Sequence, residues 1–185
     1  MADIHEHIQF QLATSQDVAP LEDVMNRAFD DLSDSYQQNR RGLHNCNMCI
    51  FKNGTADEQD SDFSLLMFKV TFKGEIIGGF CIRYNRVTLT LNVIFVDLPF
   101  QNQGIGSHII QFVTEFAQRK QTLETKPQVT SGIIDLYTPE WAVRTHRFYE
   151  KNGFVKVSTR PNWTSEFNDY VYHKNIIDRK RKQAR

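Results

Sequence analysis

The sequence predicts an α+β fold, in which helices flank a mostly antiparallel, mixed central sheet. Apolar residues recur at every second position from Val87 to Phe95, the period of a strand with one buried face. They recur at three- and four-residue spacing from Ile105 to Phe116, the period of a core-facing helix. The segments around these two follow the order β-α-(α)-β-β-β-α-β-α-β-β, which is typical of α+β domains.

The chain is expected to begin with a strand and a helix. Residues 6–12 alternate polar and apolar side chains and predict the strand. Thr14 or Ser15 can cap the helix that follows. A short second helix is expected around residues 33–41, with a long loop after it. The buried face of the first helix is expected to consist of Val18, Leu21, Val24, Met25 and Phe29.

A hairpin is predicted next. Phe63–Phe72 and Ile76–Tyr84 have the composition of strands, and Lys73-Gly74-Glu75 between them has that of a turn. The pair Gly78-Gly79 lies inside the second strand. Glycines there indicate a bulge or a close approach of neighbouring backbone.

The last third predicts a strand, a helix and two more strands. Ile133–Tyr137 reads as a short buried strand. Thr138-Pro139 predicts the start of a helix, with Thr as its cap and Pro at its first position. Gly153 is placed to end that helix. The final strands are expected at residues 154–157 and 170–173.

Composition restricts the classes of function. A chain of 185 residues suits one domain, expected over residues 1–178, with a basic tail over residues 179–185. Lys+Arg and Asp+Glu both number 22, so net charge gives no case for nucleic-acid binding. No apolar run reaches the length of a membrane span, and the first residues lack the regions of a signal peptide. We therefore expect a cytoplasmic protein that does not bind membranes.

The cysteines, Cys46, Cys49 and Cys81, are typical of a reducing compartment. His44, Cys46 and Cys49 offer soft metal ligands over a short stretch. A structural zinc site needs four ligands, and no second Cys or His pair stands at suitable spacing. We expect no metal, and any role of the Cys46/Cys49 pair is left open.

A short polar loop with two glycines joins the alternating strand to the long helix. At a helix N-terminus several backbone N–H groups lack intrahelical partners, and the helix dipole is positive. Gly104 and Gly106 would let a phosphate approach these groups, because no Cβ stands in the way. An ordinary strand-to-helix turn explains the spacing equally well. The loop lacks the third glycine of a dinucleotide fingerprint and the Gly-Lys-Ser/Thr ending of a P-loop.

Two separated motifs resemble those of the GNAT superfamily of acyl-CoA-dependent N-acetyltransferases. Gln101-Asn102-Gln103-Gly104-Ile105-Gly106 is similar to that family's Gln/Arg-x-x-Gly-x-Gly/Ala loop between a strand and a long helix. Phe148-Tyr149-Glu150-Lys151-Asn152-Gly153-Phe154 is similar to its helix ending in Tyr-x-x-x-Gly-Phe. The order of predicted elements agrees as well. The resemblance thus covers nearly the whole chain and implies a GNAT-like fold.

The resemblance implies acetyl-CoA as co-substrate and assigns roles around it. The backbone of Gln103–Ser107 and the Gln101 side chain would cradle the pyrophosphate. The strand would be bulged near Phe95-Val96 and splay from Ile133–Tyr137, with pantetheine in the gap. The N–H near Val96 would polarise the thioester carbonyl, and Tyr149 would protonate the leaving thiolate. The implied cofactor-binding residues are Phe95, Val96, Gln101, Asn102, Gln103, Gly104, Ile105, Gly106, Ser107 and Tyr149.

The base that takes the amine proton is not assigned. Many members of that family carry a carboxylate on the strand before the loop, whereas Thr88–Phe95 contains none. Asp97 is the base candidate, with Asp135 and His146 as alternatives. Ala142 stands seven residues before the motif tyrosine, where relatives often have Asn. One contact to the cofactor is therefore expected to be missing.

Two classes of function follow. The first is an enzyme that acetylates a primary amine of a small molecule or peptide. Residues 1–62 hold three times as many acidic as basic side chains, which would suit a cationic acceptor but also fits a solvated surface. The second is a non-catalytic acyl-CoA-binding module of the same fold, favoured by Ala142 and the missing strand carboxylate. The last strands suit pairing across a homodimer, as in some relatives, but the sequence does not require it.

Overall fold

The computed structural model describes residues 7–30, 64–85, 87–122, 132–162 and 167–176. Within them the predicted order of strands and helices is confirmed. The predicted helix at 33–41, the Cys46/Cys49 pair and the basic tail lie outside the described residues. The elements are β1 (Ile8–Leu12), α1 (Val18–Asp30), β2 (Ser64–Phe72), β3 (Glu75–Tyr84), β4 (Leu89–Val96), α2 (Ile105–Thr122), β5 (Ile133–Pro139), α3 (Val143–Lys151), β6 (Val155–Pro161) and β7 (Asn168–Asn175).

The strands form one sheet in the order β1-β2-β3-β4-β5-β7-β6. β1 pairs antiparallel with β2. β4 pairs in parallel with β5, from Leu89 opposite Ile134 to Leu91 opposite Leu136. β7 runs antiparallel to both β5 and β6. A parallel pair beside antiparallel pairs makes the sheet mixed, which confirms the predicted α+β class.

The described residues fall into two compact units. The first comprises those of Met1–Arg83 and Asn92–Ile109, and the second those of Tyr84–Leu91 and Ile110–Arg185. The first unit therefore contains β1, α1, β2, most of β3, the end of β4 and the start of α2. The second contains the start of β4, the rest of α2, and β5, α3, β6 and β7. Whether residues 1–178 form a single domain stays a prediction.

The core of the first unit is built on the predicted face of α1. Leu21, Val24 and Met25 are buried and pack in one cluster with Met67, Cys81 and Phe95, the last from the end of β4. A 3₁₀ turn capped by Thr14 precedes α1. Thr14 therefore caps the 3₁₀ turn and not α1, which begins at Val18 and buries the predicted apolar positions spaced by one helical turn.

Gly78 and Gly79 in β3 confirm the predicted close approach. A Cβ on Gly78 would lie 2.6 Å from the carbonyl oxygen of Phe95, and one on Gly79 would lie 2.7 Å from Cζ of the Phe95 ring. A side chain at Gly78 would therefore displace the backbone at the end of β4, and one at Gly79 would displace the Phe95 ring. The two glycines therefore set the distance between β3 and the last residues of β4.

The predicted start of α3 is wrong. Thr138 and Pro139 belong to β5, where they lie opposite Tyr170 and Asp169 of β7, and the helix begins only at Val143. Proline lacks an N–H but is tolerated at the end of a strand. Its carbonyl oxygen accepts the Ala142 N–H at 3.0 Å, so the chain turns before the helix begins.

The predicted end of α3 is confirmed. Gly153 has φ +83°, the left-handed conformation that glycine adopts without a steric penalty. Its N–H donates to the carbonyl oxygen of Glu150 at 3.0 Å, and the Phe154 N–H donates to that of Tyr149 at 3.1 Å. These two bonds form a Schellman motif, which satisfies the last carbonyls of the helix.

Candidate functional site

A short, internally bonded segment links β4 to α2. The 3₁₀ turn Leu98–Phe100 follows the end of β4, and α2 begins at Ile105. Asn102 and Gly104 have φ +60° and +83°, so the backbone reverses twice through the left-handed region. We call residues 101–107 the glycine loop. Together with the 3₁₀ turn, this loop leads the chain from the end of β4 into the first turn of a long helix.

Two side chains of the glycine loop donate to backbone carbonyls of the residues that precede it. Gln101 Nε2 donates to the carbonyl oxygen of Val96 at 2.9 Å, and Gln103 Nε2 donates to that of Pro99 at 2.8 Å. The Gln101 amide thus ties the loop to the last residue of β4. Contact between the Gln101 side chain and a pyrophosphate stays a prediction.

The first turn of α2 has the features of an anion site. Ile105 is buried and anchors the helix, whereas Asn102, Gln103 and Gly104 are exposed. The first intrahelical bond joins the His108 N–H to the carbonyl oxygen of Gly104 at 3.1 Å. The first turn contains no acidic residue, so no carboxylate there opposes an anion at the positive end of the helix.

Asp97 is held by contacts on both carboxylate oxygens. Oδ1 accepts the Leu98 N–H at 2.9 Å, and Oδ2 accepts Nη2 of Arg27 at 2.8 Å. Nε of Arg27 completes a bidentate pair, 3.1 Å from Oδ2. A guanidinium that meets a carboxylate through two nitrogens fixes the orientation of both groups. The role of Asp97 as base stays a prediction.

Phe95 and Val96, which precede Asp97, are buried or half-buried. The Phe95 ring is 3% exposed and belongs to the core of the first unit, and Val96 is half-buried. A ligand would therefore meet Phe95 through its main chain.

Reasoning from the sequence alone did not identify Arg27 as the partner of Asp97. The available signal was a cation three residues after the buried Val24, at the border of the apolar face of α1.

Tyr149 belongs to the second unit, where its ring is held in an aromatic cluster. The ring is 6% exposed. Its centroid lies 5.2 Å from that of Phe148, 5.6 Å from that of Phe154 and 6.2 Å from that of Tyr172. Aromatic contacts at these distances fix the ring and hence the direction of its hydroxyl.

Tyr172 is the second tyrosine of this cluster. Its hydroxyl donates to Oε1 of Glu150 at 3.1 Å. Burial and the adjacent Glu150 carboxylate raise the pKa of Tyr172 to about 12. This phenol is therefore held in its protonated form and is committed to Glu150.

The two alternative base candidates lie in the second unit as well. His146 is buried, its Nε2 lies 2.9 Å from the carbonyl oxygen of Pro139, and its ring centroid lies 4.9 Å from that of Tyr170, with the two rings tilted by 30°. Asp135 pairs with His173, whose Nε2 lies 3.2 Å from Oδ1. Burial raises the pKa of Asp135, and the facing His173 opposes that shift. His146 is thus committed to the backbone, while Asp135 is a partly desolvated carboxyl with one partner.

Neither a metal cluster nor a membrane helix appears in the described part of the chain. No group of three or more His, Cys, Asp or Glu side chains there is arranged to hold an ion. None of the helices in the described ranges combines the length and apolar character needed to span a bilayer.

Comparison with known proteins places these features in a family. Residues 64–156, about half of the chain, match the family model of the acetyltransferase (GNAT) domain, a range that includes both the glycine loop and Tyr149. No curated protein matches the chain significantly.

Several solved structures share its fold. A protein described as a GNAT-family acetyltransferase from Desulfovibrio desulfuricans has a TM-score of 0.68 at 14% identity, covering 92% of this chain and 99% of that one. The PaiA N-acetyltransferase of Thermoplasma acidophilum, in complex with coenzyme A, has a TM-score of 0.63 at 15% identity over 91% and 98%. A GNAT-family acetyltransferase of Elizabethkingia anophelis with acetyl-CoA bound has a TM-score of 0.62 at 18% identity over 92% and 99%.

Proposed function

The chain belongs to the GNAT acetyltransferase family, and we propose that it transfers an acetyl group from acetyl-CoA to a primary amine of a small molecule or peptide. The observation that carries this proposal is the glycine loop at the start of α2, inside the segment that matches the family model. Two structural relatives hold coenzyme A or acetyl-CoA, which supports the choice of co-substrate.

In this proposal the pyrophosphate of acetyl-CoA binds at the N-terminus of α2. The backbone N–H groups of Gln103–Ser107 would donate to its oxygens, and the positive end of the helix dipole would add a favourable field. Gly104 and Gly106 expose the backbone to the phosphates. Pantetheine would pair with main-chain groups of β4 in the manner of an added strand.

The chemistry is a direct attack of the neutral amine on the thioester carbonyl. The new C–N bond forms as the carbonyl oxygen gains negative charge, which the Val96 N–H would stabilise. The C–S bond then breaks, and the thiolate takes a proton from the Tyr149 hydroxyl. The amine gives up one proton to a base, and Tyr149 is reprotonated from water. The products are an amide and coenzyme A.

The acceptor is proposed to carry positive charge. Acidic side chains outnumber basic ones threefold in residues 1–62, and an acidic surface raises the local concentration of cations. Within the described residues of that range, Asp17 is already paired with Lys69 at 2.9 Å. The proposed attraction therefore depends on the other acidic residues. Polyamines, sugar amines and basic peptide ends are the acceptor classes that fit.

A second candidate is a non-catalytic acyl-CoA-binding module. Two observations favour it: β4 contains no carboxylate, and both oxygens of Asp97, the next residue, are engaged by Arg27 and the Leu98 N–H. Such a module would bind acetyl-CoA through the same glycine loop and would release no thiol when amines are added.

The Tyr149→Phe variant separates the two candidates. It removes one hydroxyl and leaves the aromatic cluster in place. We expect turnover to fall about 100-fold, the lower end of the range for a general acid, while acetyl-CoA affinity by calorimetry is unchanged. Tyr172→Phe is the matched control, because it removes a phenol hydroxyl from the same cluster. A Tyr149→Phe protein as active as the Tyr172→Phe protein would contradict the role of Tyr149.

A further inference from the structure

Asp97 connects three parts of the first unit. Its N–H donates to the carbonyl oxygen of Ile77 in β3 at 2.8 Å. Its Oδ1 caps the following 3₁₀ turn through the Leu98 N–H. Both of its carboxylate oxygens receive the guanidinium of Arg27 from α1, with N···O distances between 2.8 and 3.3 Å. One side chain thus holds a strand, a turn and a helix together.

The Arg27–Asp97 pair is geometrically defined. The Asp97 side chain is 11% exposed and the Arg27 side chain 52% exposed. A planar guanidinium that binds a carboxylate through two nitrogens fixes both distance and orientation. The buried carboxylate depends on this partner, since an unpaired charge at such a position is costly. Arg27 lies in the last turn of α1, so the pair joins the end of that helix to the end of β4.

The turn after Asp97 continues without interruption into the glycine loop. The Phe100 N–H donates to the carbonyl oxygen of Asp97 at 2.9 Å, and the Gln101 N–H donates to that of Leu98 at 3.2 Å. The Gln101 side chain returns to the Val96 carbonyl. These bonds form a closed set, so a displacement of Asp97 would displace both Val96 and the loop.

We infer that Arg27 is a positioning residue for the coenzyme: from α1 it holds Asp97, and through Asp97 it orients the glycine loop that receives acetyl-CoA. The inference rests on the proposed function of that loop. It assigns Asp97 to the support of the coenzyme site and makes α1 part of that support.

A matched control lies at the other end of α1. Lys69 of β2 pairs with Asp17 at 2.9 Å, and the Asp17 side chain is 12% exposed, close to the value for Asp97. Asp17 also accepts a backbone N–H, that of Thr14, at 2.8 Å. This second pair therefore also joins a largely buried aspartate to a cation and lies at the opposite end of α1 from Arg27.

The test is acetyl-CoA affinity by calorimetry together with thermal unfolding. Arg27→Gln and Asp97→Asn are each expected to weaken binding by about fivefold or more, the lower end of coupling between linked sites. Asn at position 97 retains an oxygen for the Leu98 N–H, so that variant isolates the ion pair. The double variant should bind no more weakly than either single variant, within about twofold, because both remove one interaction. Arg27→Lys keeps the positive charge but loses the planar two-nitrogen contact, so its acetyl-CoA affinity should lie between those of wild type and Arg27→Gln.

Lys69→Gln is expected to lower the melting temperature while leaving the affinity within about twofold of wild type. If Arg27→Gln and Asp97→Asn lower the melting temperature but bind acetyl-CoA as wild type does, the inference is wrong. It is equally wrong if Lys69→Gln weakens binding as much as they do. Should Arg27→Gln fail to fold, Arg27→Lys and Asp97→Asn decide the question. A wild-type protein that does not bind acetyl-CoA would overturn the proposed function itself, and the inference with it.

Discussion

The rings of Tyr149 and Phe154 meet edge to face, 5.6 Å between centroids, across the C-terminus of α3. The same two residues share a backbone bond, from the Phe154 N–H to the carbonyl oxygen of Tyr149. The spacing Tyr-x-x-x-Gly-Phe is therefore the spacing of a Schellman cap with its usual apolar contact. The cap accounts for the position of the Tyr149 ring at the end of α3.

The cap makes a prediction for Gly153. Gly153→Ala forces an L residue to φ +83°, although a Cβ there would meet nothing closer than 3.8 Å. The cost is therefore conformational, about 1 kcal/mol of unfolding free energy. Gly153→Asn should cost less, because asparagine tolerates this conformation. Urea unfolding of the two variants measures the difference, and equal stability would contradict the cap.

Gly78 is predicted to be the more sensitive of the two β3 glycines. A Cβ on Gly78 would meet the backbone carbonyl of Phe95, whereas one on Gly79 would meet the side-chain ends of Phe95, Met67 and Leu21. Side chains move more readily than a paired strand. Gly78→Ala should therefore cost about 2–3 kcal/mol, and Gly79→Ala about 1–2 kcal/mol. If urea unfolding shows Gly79→Ala to be the more destabilising variant, the backbone of β4 shifts more readily than the side chains of the core, and the prediction is wrong.

The raised pKa of Tyr172 predicts that the folded protein loses stability at alkaline pH. Its pKa is raised to about 12 from an ordinary value of 10. The protonated phenol is favoured in the folded state, so its contribution is complete below pH 10 and is lost as pH rises toward 12. Tyr172→Phe should cost about 1 kcal/mol at pH 7 for the lost hydrogen bond to Glu150. The gap from wild type should narrow above pH 10, and a constant gap would be evidence against the raised pKa.

The raised pKa of Asp135 predicts a pH dependence of stability in the acidic range. Burial raises the pKa of its carboxyl above the ordinary 3.8. The ionised form is then disfavoured in the folded state, so the cost is present at neutral pH and disappears as pH falls below 3.8. Asp135→Asn should be more stable than wild type at pH 7, by less than about 1 kcal/mol given the partial exposure. Thermal unfolding at pH 7 and pH 3.5 tests this, and a less stable variant at pH 7 would mean that the His173 pair dominates.

The fold was predictable where one periodicity persists over many residues. The alternation from Leu89 to Phe95 and the helical spacing after Ile105 each correspond to one buried face in the structure, whereas Val87 lies before β4 and is exposed. Thr138-Pro139 failed as a helix start because cap residues are a local signal. The pairing of β5 with β7 extended the strand through Pro139, and that pairing is not local.

The site was predictable only in its contiguous part. The glycine loop is a run of neighbouring residues, so its sequence indicates its position at the start of α2. The Arg27–Asp97 pair joins residues 70 positions apart. No periodic pattern in a sequence indicates a charge pair at that separation. Without Arg27, Asp97 reads as an unpaired carboxylate beside the loop, which is why it was a base candidate.

The central claim is amine-dependent acetyl transfer, and thiol release from acetyl-CoA tests it most directly. Purified protein is incubated with acetyl-CoA and a panel of amines, diamines, sugar amines and short basic peptides, with coenzyme A thiol followed continuously. The account predicts release that requires both enzyme and amine, is fastest with cationic acceptors, and is nearly abolished by Tyr149→Phe. Tight binding of acetyl-CoA without release by any amine would contradict the transferase and favour the acyl-CoA-binding module.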